Sequence, residues 1–112
     1  MWNPDQFFTI EQEVRSALPD LIGIALIAAD GSLLLHSGQL VSDARLIGAT
    51  TAAICRLADH LASELGECDE PEICIRCREH RAIFYPLAEG ETILLILPAM
   101  SQVPANLRSR LR

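Results

Sequence analysis

Apolar positions change their period several times along the chain, and each change marks an element. Ile10, Val14 and Leu18 recur at helical spacing. Thr9-Ile10-Glu11-Gln12 reads as a capping box, a hydroxyl at the N-cap with Gln three residues on. Pro19 ends this helix. Trp2, Phe7 and Phe8 lie ahead of it and are expected to pack over the domain's own core.

Residues 21–29 form an unbroken apolar run, Asp30-Gly31 follows, and residues 32–37 are again largely apolar. Asp-Gly between apolar runs predicts a hairpin with a type I′ turn. A first strand without a polar face predicts a central strand covered on both sides. Ser42 or Asp43 is the expected cap of a long helix reaching about Leu65, with Gly66 as its stop. Residues 73–78 and 81–87 alternate as half-buried strands around a turn at Glu79-His80. Glu89-Gly90 turns the chain into residues 92–97, a second wholly apolar and therefore central strand. Residues 101–112 predict a terminal helix with Leu107 and Leu111 on one face. The order α-β-β-α-β-β-β-α predicts one α+β domain over residues 1–112, a five-stranded antiparallel sheet with helices on both faces.

The long helix carries two apolar rows. Ile47, Thr50, Ile54, Leu57, Leu61 and Leu65 form the row expected to face the sheet. Beside it run Ala44, Gly48, Thr51, Cys55, Ala58 and Ala62, spaced 4, 3, 4, 3, 4 like a coiled-coil seam of small residues. This second row is expected to pack on the same helix of a second copy. A two-fold axis would set Ala44 against Ala62′, Gly48 against Ala58′ and Thr51 against Cys55′. The bland alternative is that alanine simply makes a good helix.

The third strand invites a similar reading. Glu70, Glu72, Cys74, Arg76 and Arg78 share one face, and Ile73, Ile75 and Cys77 share the other, expected in the core. At a sheet edge this strand would pair antiparallel with its own copy about Cys74. Glu72 would then meet Arg76′ and Glu70 would meet Arg78′. A solvated charged face is the alternative.

Composition narrows the function. Of 112 residues, 50% are hydrophobic and 21% charged, as in a globular chain. Fifteen acids against nine bases leave a net charge of -6, which argues against nucleic-acid binding. All nine bases are arginine, so lysine-dependent chemistry (the P-loop, the kinase lysine, a Schiff base) is excluded. The apolar runs at 21–29 and 93–100 are too short to span a bilayer. Met1 to Asp5 shows no basic segment leading into an apolar one. A cytoplasmic protein with reduced thiols and no membrane insertion is expected.

Cys68, Cys74, Cys77 and His80 raise a metal or thiol-redox reading, since Cys74-x-x-Cys77 is a zinc-ligand spacing. Alternation along a strand sends Cys74 and Cys77 to opposite faces, which disfavours it. His36 and His60 stand alone, and no catalytic triad, H-E-x-x-H or glycine-rich phosphate loop occurs. Neither an enzyme nor a bound cofactor is expected.

Particular stretches carry a family resemblance. They are Leu18-Pro19-Asp20-Leu21-Ile22-Gly23-Ile24-Ala25-Leu26-Ile27 leading into Asp30-Gly31-Ser32-Leu33-Leu34-Leu35, and the alanine-rich helix at 43–65. Ile83-Phe84-Tyr85-Pro86-Leu87 and Ile93-Leu94-Leu95-Ile96-Leu97 complete the set. In this order they resemble the Roadblock family, which includes dynein light-chain Roadblock proteins and bacterial MglB-like gliding regulators. The resemblance runs from about Ile10 onward. It implies a Roadblock/profilin-like homodimer in which the long helices pack together and the third strands join two sheets. It further implies binding of a small Ras-like GTPase, as activator, scaffold or polarity factor, by ordering the GTPase's own residues. The outer helix face, with Arg45, Ala49, Ala52, Arg56 and His60, is the expected partner surface. The other readings are the metal or redox module and a structural adaptor without a GTPase.

Overall fold

The computed structural model describes residues 3–39, 44–66, 71–87 and 89–111. Its elements are α1 (Pro4–Ala17), β1 (Gly23–Ile27), β2 (Leu33–Gly38), α2 (Ala44–Leu65), β3 (Ile73–Arg76), β4 (His80–Pro86), β5 (Thr92–Pro98) and α3 (Leu107–Arg110). The strands form one antiparallel sheet in the order β2-β1-β5-β4-β3. The two continuous apolar runs are the inner strands β1 and β5, buried on both faces. One face carries α1 and α3 over Val14, Leu18, Ile24, Leu26, Ile83, Leu95, Leu107 and Leu111. The other carries α2 over Ala25, Ile27, Phe84, Leu94 and Ile96.

Local chemistry moves several boundaries. Helix α1 begins well before Thr9, because Asn3 and Gln6 form the capping box and Pro4 takes the first turn. Thr9 lies inside the helix, its hydroxyl donating to the Asp5 carbonyl at 3.0 Å. Phe7 therefore joins the buried face, whereas Phe8 is exposed. Trp2 lies outside the described residues, as do Ser42 and Asp43, the expected caps of α2.

The first hairpin does not use a type I′ turn. Asp30 keeps a negative φ while its carboxylate accepts the Ser32 N–H at 2.9 Å. Only Gly31 is left-handed, at φ 92°, with its N–H bonded to Ala28 O. A three-residue turn closed by a glycine bulge results, matching the register shift beside Ile27. The terminal helix is confined to Leu107–Arg110, since Pro104 disfavours helical geometry at the residue before it. Leu107 and Leu111 are nonetheless buried as expected.

Candidate interaction face of α2 and the β3 edge

The two rows of α2 exchange roles relative to the expectation from side-chain size. Gly48 and Thr51 are buried within the single chain, and Cys55 is half-buried with its sulfur 3.3 Å from the Thr92 hydroxyl. Ala58 and Ala62 are partly covered in line with them. The physical reason is a close crossing. A Cβ on Gly48 would stand 2.0 Å from the carbonyl oxygen of Gly31, so only glycine allows α2 to lie against the first hairpin. The small row thus seats the helix on its own sheet. Gly48 and Thr51 are consequently buried within one chain rather than presented as the seam for a second copy, contrary to expectation. The side chain of Ala44 lies outside the described part.

The large residues point away instead. Leu46, Leu57, Leu61 and Leu65 are 65%, 70%, 60% and 63% exposed, and only Ile47 and Ile54 of the large row pack onto the sheet. A shallow apolar hollow of about 160 Å³ lies between Leu46, Ile47, Thr50 and Thr51. Contiguous exposed leucines on one helix face are unusual in a monomer. Arg45, Ala49, Arg56 and His60 are exposed on a separate side of α2, and Ala52 is half-buried there.

Strand β3 is an edge strand. Cys77 donates its N–H to His80 O at 2.8 Å, and the β3–β4 register sets Ile73 against Phe84 and Cys74 against Ile83. Odd-numbered residues of β3 therefore bond to β4, and the backbone N–H and C=O of Glu72, Cys74 and Arg76 face the open edge. Ile73 packs on the α2-side core, but Ile75 is 42% exposed and Cys77 is exposed. The expected core placement of those two fails because, among the described residues, no element covers the sheet beyond β3. Arg76 lies directly across from Arg81, a like-charge pair that costs stability unless anions approach. Among the described residues no carboxylate pairs with Arg76 or Arg78. Glu70 lies outside the described residues.

Two arginines anchor this edge. Arg81 donates from Nε to Cys74 Sγ and from Nη1 to Ser101 O, each at 3.0 Å. Ser101 in turn donates to Asp20. Arg108 donates to Pro71 O at 2.9 Å and Pro86 O at 3.1 Å, and its guanidinium stands 5.8 Å from the Tyr85 ring centre. Burial, reinforced by Glu72 and opposed by Arg108 and Arg81, pushes the Tyr85 phenol up to about 12. Burial also raises the Cys55 thiol.

Cys74, Cys77 and His80 do not converge. Among the described residues no three His, Cys, Asp or Glu side chains come together as a metal site, and Cys68 lies outside them. Among the described residues no helix is long and apolar enough to cross a membrane.

The sequence pattern of the Roadblock/LC7 domain matches residues 12–97, and the chain belongs to that family. Its members are generally regulatory or adaptor proteins. The fold is similar to MglB of Myxococcus xanthus, with TM-score 0.79 and 15% identity over 98% of this chain and 88% of that one. It is also similar to a Roadblock/LC7 domain from Streptomyces avermitilis, with TM-score 0.74 and 13% identity over 93% and 86%. A third similar structure is MglB in a tetrameric arrangement, with TM-score 0.73 and 15% identity over 99% and 84%. No curated protein matches the sequence.

Proposed function

We propose that this chain acts as a homodimeric, non-catalytic regulator or scaffold that binds a small Ras-like GTPase. The observation that carries the reading is the pair of unsatisfied surfaces on a Roadblock fold, the leucine face of α2 and the open edge of β3.

A second copy satisfies both at once. With two α2 helices antiparallel about a two-fold axis between Ala53 and Ile54, Leu46 meets Leu61′ and Thr50 meets Leu57′. Leu57′ then enters the hollow lined by Leu46, Ile47, Thr50 and Thr51. Two β3 edges joined about Cys74 bring Glu72 against Arg76′ and lay Ile73′ beside the exposed Ile75. The self-assembly in the tetrameric MglB arrangement supports the tendency.

The remaining side of α2, with Arg45, Ala49, Ala52, Arg56 and His60, is then the surface for the GTPase. Alanines leave a low floor for close approach, and the arginines and histidine supply donors around it. The dimer acts by differential binding, because contacts made better in one nucleotide state shift the switch equilibrium toward that state. It supplies no reacting group of its own.

Titrating the protein with a small Ras-like GTPase from the same genome, loaded with a non-hydrolysable GTP analogue or with GDP, tests this. Tighter binding of one nucleotide form is expected, with loss in Arg56→Glu. Equal affinity for both forms leaves only a scaffold, and absence of binding contradicts the GTPase reading.

A further inference from the structure

The ribbon of β3 and β4 ends at two prolines. The register that sets Ile73 against Phe84 brings Pro71 opposite Pro86, and both are half-buried. Cys77 bonds to His80, so the alternation of an antiparallel ladder makes 75 with 82, 73 with 84 and 71 with 86 the hydrogen-bonded pairs. Such a pair exchanges two N–H to O=C bonds. Proline has no N–H, so the pair at 71 and 86 can make neither, and both carbonyls need another donor. Arg108 supplies both. Its Nη1 donates to Pro71 O at 2.9 Å and its Nη2 to Pro86 O at 3.1 Å. The planar guanidinium fork thus stands in for the two missing ladder bonds, with the Tyr85 ring centre 5.8 Å from it.

Little else holds this edge. Strand β3 has four residues, pairs on one side only, and sends only Ile73 to the core. Arg81 reaches β3 through the Cys74 sulfur, a weak acceptor. The turn that carries Arg108 is firmly seated by comparison, since Leu107 and Leu111 on either side of it are both in the core.

We infer that the C-terminal turn is a latch for the β3 edge, with Arg108 as its bolt. While Leu107 and Leu111 stay docked, the fork closes the end of the ribbon and β3 is held in place to receive a partner strand. Withdrawal of the turn removes both donors, and β3 separates from β4 while the inner strands stay closed. The coupling is reciprocal, so a strand added to β3 tightens the seat of the C-terminal turn. The latch stands on the single chain, and only its effect on dimerisation rests on the dimer reading above.

The test is residue-resolved amide hydrogen exchange of the whole protein, with native mass on the same samples. Arg108→Met removes the fork and keeps an apolar stem beside Tyr85. Exchange at Ile73 and Ile75 is expected to quicken by about tenfold or more, the usual effect of losing bonds to a charged donor. Exchange at the buried Ile24 and Leu95 is expected to stay at its wild-type rate. Pro86→Ala/Arg108→Met returns one N–H to the ladder and is expected to restore protection of β3. Dimer affinity is expected to fall and recover with that protection. Unchanged exchange at Ile73 and Ile75 in Arg108→Met overturns the latch, as does a rise shared equally by Ile24 and Leu95. Failure of Pro86→Ala to restore protection also overturns it. A wild type that is monomeric yet loses β3 protection selectively in Arg108→Met upholds the latch and overturns the dimer.

Discussion

Gly48 decides which side of a 22-residue helix meets the sheet, because no other residue fits over the Gly31 carbonyl. Gly48→Ala is expected to lower stability by about 1–3 kcal/mol, the usual penalty of overpacking. A reduced urea midpoint at unchanged slope would report it, and a wild-type midpoint would contradict the close crossing. Tyr85 offers a second check at this scale, since it is the chain's one tyrosine. Its folded value lies above the ~10 of a free phenol. The neutral form therefore stabilises the fold fully below pH ~10, and that contribution is lost as pH rises through about 12. Ultraviolet titration should show phenolate forming near about 12 in the folded protein. Ionisation near pH ~10 before unfolding would refute the buried placement.

Among the elements, β1 and β5 are fully legible in the sequence, since strands without a polar face belong inside a sheet. The alternation of residues 73–78 signals a strand there, but β3 ends at Arg76, Arg78 lies in the turn before His80, and Ile75 and Cys77 stay exposed. Helix α2 is legible as a helix but not in its orientation. Side-chain size argues that Leu57 and Leu61 face the core, and they do so in helices that cross at ordinary distances. Here the helix comes closer, and small residues win that contact. The signal was present as a mid-helix glycine together with the glycine turn at residue 31, yet their meeting is a tertiary fact no local pattern carries. The earlier start of α1 has a simpler cause, because Asn3-Pro4-Asp5-Gln6 is a better cap than Thr9-Ile10-Glu11-Gln12. Two predictions belong here. Leu57→Glu replaces a side chain 70% exposed in one chain, so it should abolish dimerisation while leaving the melting temperature of the monomer intact. Unfolding would show that Leu57 is needed within the chain. Ser37→Ala should weaken the tie between α1 and β2. Its hydroxyl is the foremost cause holding the Glu11 carboxyl below its usual range. A group with a lowered value stabilises the fold above its unfolded pKa and loses that effect as pH falls through its folded one. The variant should therefore show a shallower acid transition than wild type, and identical acid profiles would argue against the contact.

At the scale of the molecule, one chain leaves two adjacent surfaces incomplete, the leucine face of α2 and the edge of β3. The proposed two-fold dimer would cover both. Exposed Leu46, Leu57, Leu61 and Leu65 otherwise invite aggregation, as does a bare edge strand. The fold class and family were legible from the order of elements. The candidate interface was legible only in outline, since Glu72, Cys74 and Arg76 are exposed at the β3 edge while α2 turned its other side outward. The most direct test is a native mass spectrum of the wild type and of Leu57→Glu at equal concentration in reductant. A mass of twice 12.3 kDa is expected for the wild type and a folded 12.3 kDa species for the variant. A monomeric wild type, or a Leu57→Glu chain that still dimerises, would contradict it.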